Sequence, residues 1–363
     1  MIAHIITEHS IFLHGCKKND DRTFFNGEIV LIKTDTVPIT NLIGKRIDLN
    51  DIFTGYMSVY DSLMLFVSNK FGDKRLYVYN LNTNNLDSKL ISIGQGPTDF
   101  LHFRHLEQYI VQNSAVKLWG LDNFTGKIFL LNITQSIKNQ KDIIDSLFFF
   151  NWKDKYLSPI GYIFLCNNNS LLIRSPLEMN NEDNYIPYDY HLFHTNGEKI
   201  LSYNIYGKPI INTSKMKPSP HLYYDSQDKL KPDNTRLAMG MSMLAQVNIL
   251  ELETGIIKGY RLENTPDFTY LTKSPDNFKF FYRQTCVDDE YIFVLYLNVL
   301  LNYGMNSPYL ANELHVFDWD GKFIHKIMLD NDTSEIAFDP VKKQLFCEDS
   351  KDELFCYDLS FLY

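Results

Sequence analysis

The chain has 363 residues, of which 45% are hydrophobic, 14% aromatic and 22% charged, with a formal net charge of −9. That balance suits a globular protein with a real core, and it argues against a nucleic-acid partner, which needs clustered Lys and Arg. No run approaches the roughly 20 apolar residues that span a bilayer, whereas 23 Tyr and 26 Phe favour pleated, half-buried strands.

Residues 1–24 read as a segment apart. Ile2, Ile5, Ile6, Ile11, Phe12 and Leu13 are apolar, but Glu8 and three His interrupt the stretch and no Lys or Arg precedes it, which makes a poor signal peptide. Leu13-His14-Gly15-Cys16 nevertheless resembles a bacterial lipobox, and Lys17-Lys18-Asn19-Asp20-Asp21 a polar tether. Cys16 is therefore a lipidation candidate, with chance placement of a Gly-Cys pair as the alternative. This reading expects the cell envelope, periplasm or outer membrane, with a lipid anchor; the cytoplasm is the alternative if the N-terminus is no signal.

Residues 25–363 repeat one unit: an aromatic or β-branched run, a polar turn, then another such run. In chain order, Leu76–Leu81 leads into Asn82–Asn85. Val116–Trp119 passes through Asp122–Gly126 into Lys127–Leu131. Tyr190–Phe193 passes through Asn196-Gly197 into Lys199–Leu201. Val247–Leu252 passes through Glu253–Gly255 into Ile256–Tyr260. Leu314–Phe317 passes through Asp320-Gly321 into Phe323–Ile327, and Glu353–Leu359 is the last run. Asn-Gly and Asp-Gly supply the positive φ of tight hairpins. The expectation is an all-β, six-bladed β-propeller with four-stranded antiparallel blades, each such turn passing from one blade's outer strand to the next blade's inner strand. Roughly 335 residues divide into about 56 per blade, above the usual 40–50, with loops at Asn180–Tyr188 and Pro218–Pro232 absorbing the excess. Tyr56–Tyr60, Leu106–Val111, Tyr162–Leu165, Leu237–Met243, Phe278–Tyr282 and Glu335–Phe338 are expected as inner strands. Helical patches are expected at Thr134–Leu147 and Leu300–Gly304. Glu28–Lys33 or Lys45–Leu49 should pair beside Leu354–Leu359 and close the ring.

Ile93-Gly94-Gln95-Gly96-Pro97-Thr98-Asp99-Phe100 resembles the G-x-G-P-x-E-F loop of TolB-like six-bladed propellers. Pro232–Met239, Asn248–Gly255, Phe317–Gly321 and Ile336–Asp339 resemble that family's middle and closing blades. The likeness covers residues 25–360. It implies the fold and, in a family commonly lipid-anchored and without an assigned activity, an envelope location. Thr98-Asp99 departs from the usual Gly-Glu, and the resemblance carries over no catalytic residue.

Candidate chemistry is sparse. Gly94, Gln95, Gly96 and Pro97 lack the Lys and following helix of a phosphate loop, and read as a blade-connecting loop. Asp318–Gly321 lacks the Glu that would complete a calcium loop. Asp288-Asp289-Glu290 reads as a solvated turn, and Met239, Met241 and Met243 as a packing face. No metal or cofactor is expected. His102, Arg104 and His105 are ligand-binding candidates for an anionic group, against an ordinary surface loop. Cys347 and Cys356 lie opposite if their hairpin turns through Ser350–Glu353, which permits a cross-strand disulfide; two buried free thiols are the plainer reading. The function expected is a monomeric, non-enzymatic propeller binding an unknown ligand or protein partner at its funnel face. A hydrolase or lyase with a funnel site is the alternative.

Overall fold

The structure is a computed structural model and describes residues 20–49, 55–68, 72–94, 96, 99–151, 162–167, 169–174, 189–207, 223–272, 278–300 and 310–363. Cys16, Gln95, Pro97, the loop Asn180–Tyr188 and the patch after Leu300 lie outside them. Three N-terminal strands, β1 (Glu28–Ile32), β2 (Ile39–Leu42) and β3 (Lys45–Ile47), add to sheets made farther along the chain. One four-stranded antiparallel arm follows: β4 (Gly55–Tyr60), β5 (Leu63–Ser68), β6 (Lys74–Asn80) and β7 (Asn85–Ser92). The next holds β8 (Arg104–Gln112), β9 (Ala115–Asp122), β10 (Lys127–Asn132) and β11 (Ile144–Phe149), with α1 (Ile133–Asn139) between the last two. β12 (Ile163–Cys166), β13 (Ser170–Arg174), β14 (Tyr190–His194) and β15 (Lys199–Tyr203) form another. β16 (Ser226–Leu230), β17 (Arg236–Met241), β18 (Gln246–Glu251) and β19 (Ile257–Leu262) carry β1 on their outer edge.

The last sheet has eight strands. It follows α2 (Phe268–Thr272) and contains two four-stranded arms that share one long strand. β20 (Lys279–Val287), β21 (Tyr291–Leu300) and β22 (Ala311–Asp318) pair up to the front of β23 (Phe323–Asp339). The back of β23 pairs with β24 (Gln344–Asp349), then β25 (Leu354–Asp358), then β3. The protein is an all-β propeller with four-stranded antiparallel blades.

Period-two alternation sends successive side chains to opposite faces, and here both faces are buried. On β5, Met64 and Phe66 pack with Ala337 and Phe346, while Leu65 and Val67 pack with Leu118 and Phe129. The same division continues around the molecule through Leu121 and Ile163, Leu172 and Leu237, Val247 and Ile292, and Phe293 and Leu345. Met239, Met241 and Met243 are buried beside Leu237, as their alternation predicts.

Several expectations need correction. The glycine turns are tight hairpins, with Gly126, Gly197, Gly255 and Gly321 at φ of 72–89°. They join strands within one arm, not the outer strand of one blade to the inner strand of the next. Turns this short reach only an antiparallel neighbour; the passage from β7 to β8 takes residues 93–103. Thr134–Leu147 begins as α1 but ends in β11. Pro218–Pro232 is not all loop, because Ser226–Leu230 is β16. Of the two closing candidates, Lys45–Ile47 pairs with β25, while Glu28–Ile32 lies parallel to β19. Cys347 stands opposite Phe355 and Cys356 opposite Phe346. The two thiols therefore point to opposite faces, and both are free. The hairpin is centred half a residue from the register a disulfide needs, and period two turns that offset into the wrong side of the sheet.

Candidate functional site

The innermost strand of every arm faces a common channel. β4, β8, β12, β16, β20 and the back of β23 together line two cavities, of about 720 Å³ and about 480 Å³. The larger takes the C-terminal ends of these strands and the smaller their N-terminal ends, so the strands run the same way around the channel. Leu106, Glu107, Phe164 and Lys229 border both cavities. The Glu107 carboxylate meets the Lys229 ammonium there, which joins β8 to β16 across the channel.

Three inner strands break their ladders beside the channel. β8 shifts register between His105 and Tyr109, and Glu107 sits at φ 56°. β20 shifts between Tyr282 and Thr285, and β23 between Thr333 and Glu335. Such bulges re-aim side chains. Here each aims a long polar side chain at the next inner strand. Gln108 accepts from Leu165 N at 2.8 Å and donates to Leu165 O at 2.7 Å. Gln284 accepts from Ile336 N. Glu335 accepts from Met57 N at 2.8 Å.

The smaller cavity is the charged one. Arg104 opens β8 and lies over the Tyr162 ring, 5.3 Å from its centroid, while Arg174 lies 5.5 Å from the same ring. Burial alone would strip the Arg174 charge, but Asp228, paired at 3.0 Å, outweighs it and holds the guanidinium protonated. Enclosure opposes ionisation of Glu107, yet Lys229 holds that carboxyl below its ordinary range. Burial pushes Glu335 up to about 7 and lowers the pKa of Arg283. Burial also lowers the pKa of His105, whose Nε2 lies 3.5 Å from the Tyr56 carbonyl oxygen. The larger cavity has a different character. Tyr60 stacks on Tyr109 at 5.0 Å, Trp119 meets Phe148 edge-on at 6.2 Å, and Gln108, Asn167 and Asn234 add amides.

His102, Arg104 and His105 all line the smaller cavity. His102 is exposed and packs against Phe124, whereas His105 is 4% exposed. Glu107, Lys229, Arg283 and Glu335, which join them, escape sequence reasoning. Their only signal is a single charge inside a strand-like run. Gly94 and Gly96 lie between β7 and β8. A Cβ on either would come within 2.4 Å or 2.8 Å of the Asp99 carboxylate, which accepts from Gly96 N. The glycines thus make room for Asp99 to close its own loop. Of the three acids at 288–290, Asp289 and Glu290 are exposed. Asp288 is buried, and accepts from Glu290 N, Tyr291 N, the Tyr363 hydroxyl and Lys343 Nζ. It is a structural anchor rather than a solvated turn. Among the described residues no group of three His, Cys, Asp or Glu is placed to hold a metal, and no helix is long and apolar enough to cross a membrane.

No curated protein matches the sequence. Among solved structures that share the fold are two from Bacteroides. A member of the DUF4221 family from Bacteroides vulgatus is 10% identical with a TM-score of 0.53, over 87% of this chain and 95% of that one. A putative exported protein from Bacteroides fragilis is 12% identical with a TM-score of 0.52, over 91% of this chain and 98% of that one. With four-stranded blades around a channel, and with the model of the TolB-like 6-blade propeller-like family matching residues 45–340, the chain belongs to that family.

Proposed function

We propose that the arms are six blades of one closed ring, and that its channel binds a small molecule without converting it. The aromatic end of the channel carries this reading. Stacked and edge-on rings beside neutral amides, in a cavity of about 720 Å³, are the usual make-up of a small-ligand pocket. The protein acts as a monomer in the cell envelope, with residues 1–24 as export signal and tether and Cys16 as lipid anchor ahead of the propeller at 25–363. The family membership and the putative exported protein among similar structures support that location. A protein partner, in place of a small molecule, would meet the same mouth.

A small-molecule panel scored by thermal shift and Trp fluorescence tests the binding. Trp119 is one of three tryptophans and lines the aromatic end. Ligands should quench it, and Trp119→Ala should weaken them about tenfold or more; binding indifferent to both Trp119→Ala and Tyr109→Ala would sink this site. Incorporation of a palmitate analogue into the native protein, lost in Cys16→Ser, is the expected result for the anchor. A second reading, a hydrolase or lyase, draws on Glu335, whose pKa of about 7 suits a general acid or base. Turnover of a bound ligand, abolished in Glu335→Gln, would favour it over simple binding.

A further inference from the structure

The smaller cavity differs from the aromatic end in kind. It lies beyond the Glu107–Lys229 pair, and its charges are already engaged. Lys229 meets Glu107, Arg174 meets Asp228, and Arg283 lies in the field of Glu335. Arg104 lies over the Tyr162 ring. An ionic ligand would have to compete with partners already in place.

What the cavity holds open is neutral. His105 Nδ1, Asn123 Oδ1 and Thr285 Oγ1 are buried atoms with no hydrogen-bond partner among the described residues, and all three residues line the cavity. They come from β8, from the turn between β9 and β10, and from β20. His105 is 4% exposed and Thr285 2%. The Tyr56 carbonyl facing His105 Nε2 can only accept, so Nε2 carries the proton. Burial disfavours a second proton, which leaves Nδ1 as a bare lone pair. Asn123 Oδ1 is an acceptor by nature, and the Thr285 hydroxyl both accepts and donates. A buried polar atom left unsatisfied is destabilising, so a site built with three of them fits a ligand that brings hydroxyls. Tyr56, on β4, lines the same cavity and is 66% exposed. Its ring adds an uncovered apolar face beside the polar atoms.

We propose that this cavity binds a neutral pyranose sugar, with its C–H face on Tyr56 and its hydroxyls hydrogen-bonded to His105 Nδ1, Asn123 Oδ1 and Thr285 Oγ1. Water would satisfy the three atoms but brings no apolar face for the ring. A flat aromatic ligand would cover the ring but brings too few donors for the acceptors. A pyranose carries both, and the cavity, at about 480 Å³, falls within the roughly 300–1,000 Å³ of small-ligand sites. The proposal rests on the reading that the channel is a binding site, and names the ligand class for its polar end.

Isothermal titration of the full chain with glucose, galactose and mannose at neutral pH tests it, with acetate and phosphate as charged controls. At least one hexose should bind tenfold or more tightly than either anion. Asn123→Leu, Thr285→Val and Tyr56→Ala should each weaken that hexose about tenfold, and Trp119→Ala should leave it as it was. Because the Asn123 and Thr285 side-chain atoms have no partner to lose, Asn123→Leu and Thr285→Val should melt no lower than the wild type without ligand. Hexoses that bind no better than the anions, or binding that survives both Asn123→Leu and Thr285→Val, overturn the assignment. A lower melting temperature in both variants would mark the two atoms as structurally bonded and overturn it too. If panel ligands bind through Trp119 while no hexose binds, this proposal fails and the channel reading stands; if nothing binds at either end, both fail.

Discussion

Glu335 occupies a position where two other inner strands carry glutamine. Gln108, Gln284 and Glu335 all turn out of a bulge to accept a backbone N–H from the next inner strand, and Glu335 alone of the three can titrate. Burial raises its pKa from 4.5 to about 7. A folded-state pKa above the unfolded one means that the stabilising effect is full below pH 4.5 and is lost as pH rises through about 7. Glu348, pushed up to about 8, acts in the same direction. Glu335→Gln should therefore melt higher than the wild type at pH 8, by a stability difference on the order of 2–3 kcal/mol, and the gap should close at pH 4.5. Parallel melting curves for the two proteins across that range would remove the assignment. Asp339 shows the same economy of residues: its carboxylate accepts from Val341 N in its own turn and from Asp61 N in the arm of β4–β7.

At the scale of the element, the hairpins carry the local code and the channel strands break it. Gly255 and Gly321 sit at similar φ, 72° and 80°, in equivalent turns. A Cβ on Gly255 would meet only Tyr203, at 3.8 Å, whereas one on Gly321 would fall 2.0 Å from the Tyr260 ring on the neighbouring blade. Gly255→Ala should cost about 1–2 kcal/mol for its left-handed backbone alone, and Gly321→Ala distinctly more. Chemical denaturation of the pair separates backbone strain from packing, and equal losses would place the whole effect in the turn. The inner strands are harder to read. Ser226–Leu230 is Ser-Gln-Asp-Lys-Leu, a polar run with buried alternate positions. A strand lining a channel buries ion pairs as well as apolar side chains, so Asp228, satisfied by Arg174, Ser226 and Tyr190, looks in sequence like a loop residue.

Over the whole molecule, the two ends of the described chain are tied together in one sheet. The sheet that ends in β25 is completed by β3, from the other end of the described chain, with Leu354 opposite Ile47. Leu354 is 2% exposed and packs with Met57, Phe66 and Phe346, so it ties β25 to the arm of β4–β7. Leu354→Ala should cost about 2–5 kcal/mol. Because every sheet is buried on both faces by its neighbours, the urea transition should stay single and simply move to lower denaturant; a separate early phase would show that the seam opens on its own.

Much of this architecture was legible in the chain itself. Period-two runs and Gly turns are local, so most strands and the Met239–Met243 packing face could be read without a fold; for the strand beside the last one, sequence offered Glu28–Lys33 and Lys45–Leu49 alike, and only the pairing of Lys45–Ile47 with β25 decided between them. The membership of turns in blades could not be read from sequence, because a hairpin signal says that two strands pair but not where the pair sits in a sheet. Nor could the disulfide register at Cys347 and Cys356, where a half-residue offset decides the face. Sequence also pointed to His102, Arg104 and His105 as neighbours of one site. It could not supply Glu107, Lys229, Arg283 and Glu335, which come from separate strands and meet only where those strands line one cavity. Composition and turn chemistry thus determined the kind of fold, and tertiary structure alone decided the site, because a channel is made by strands far apart in sequence.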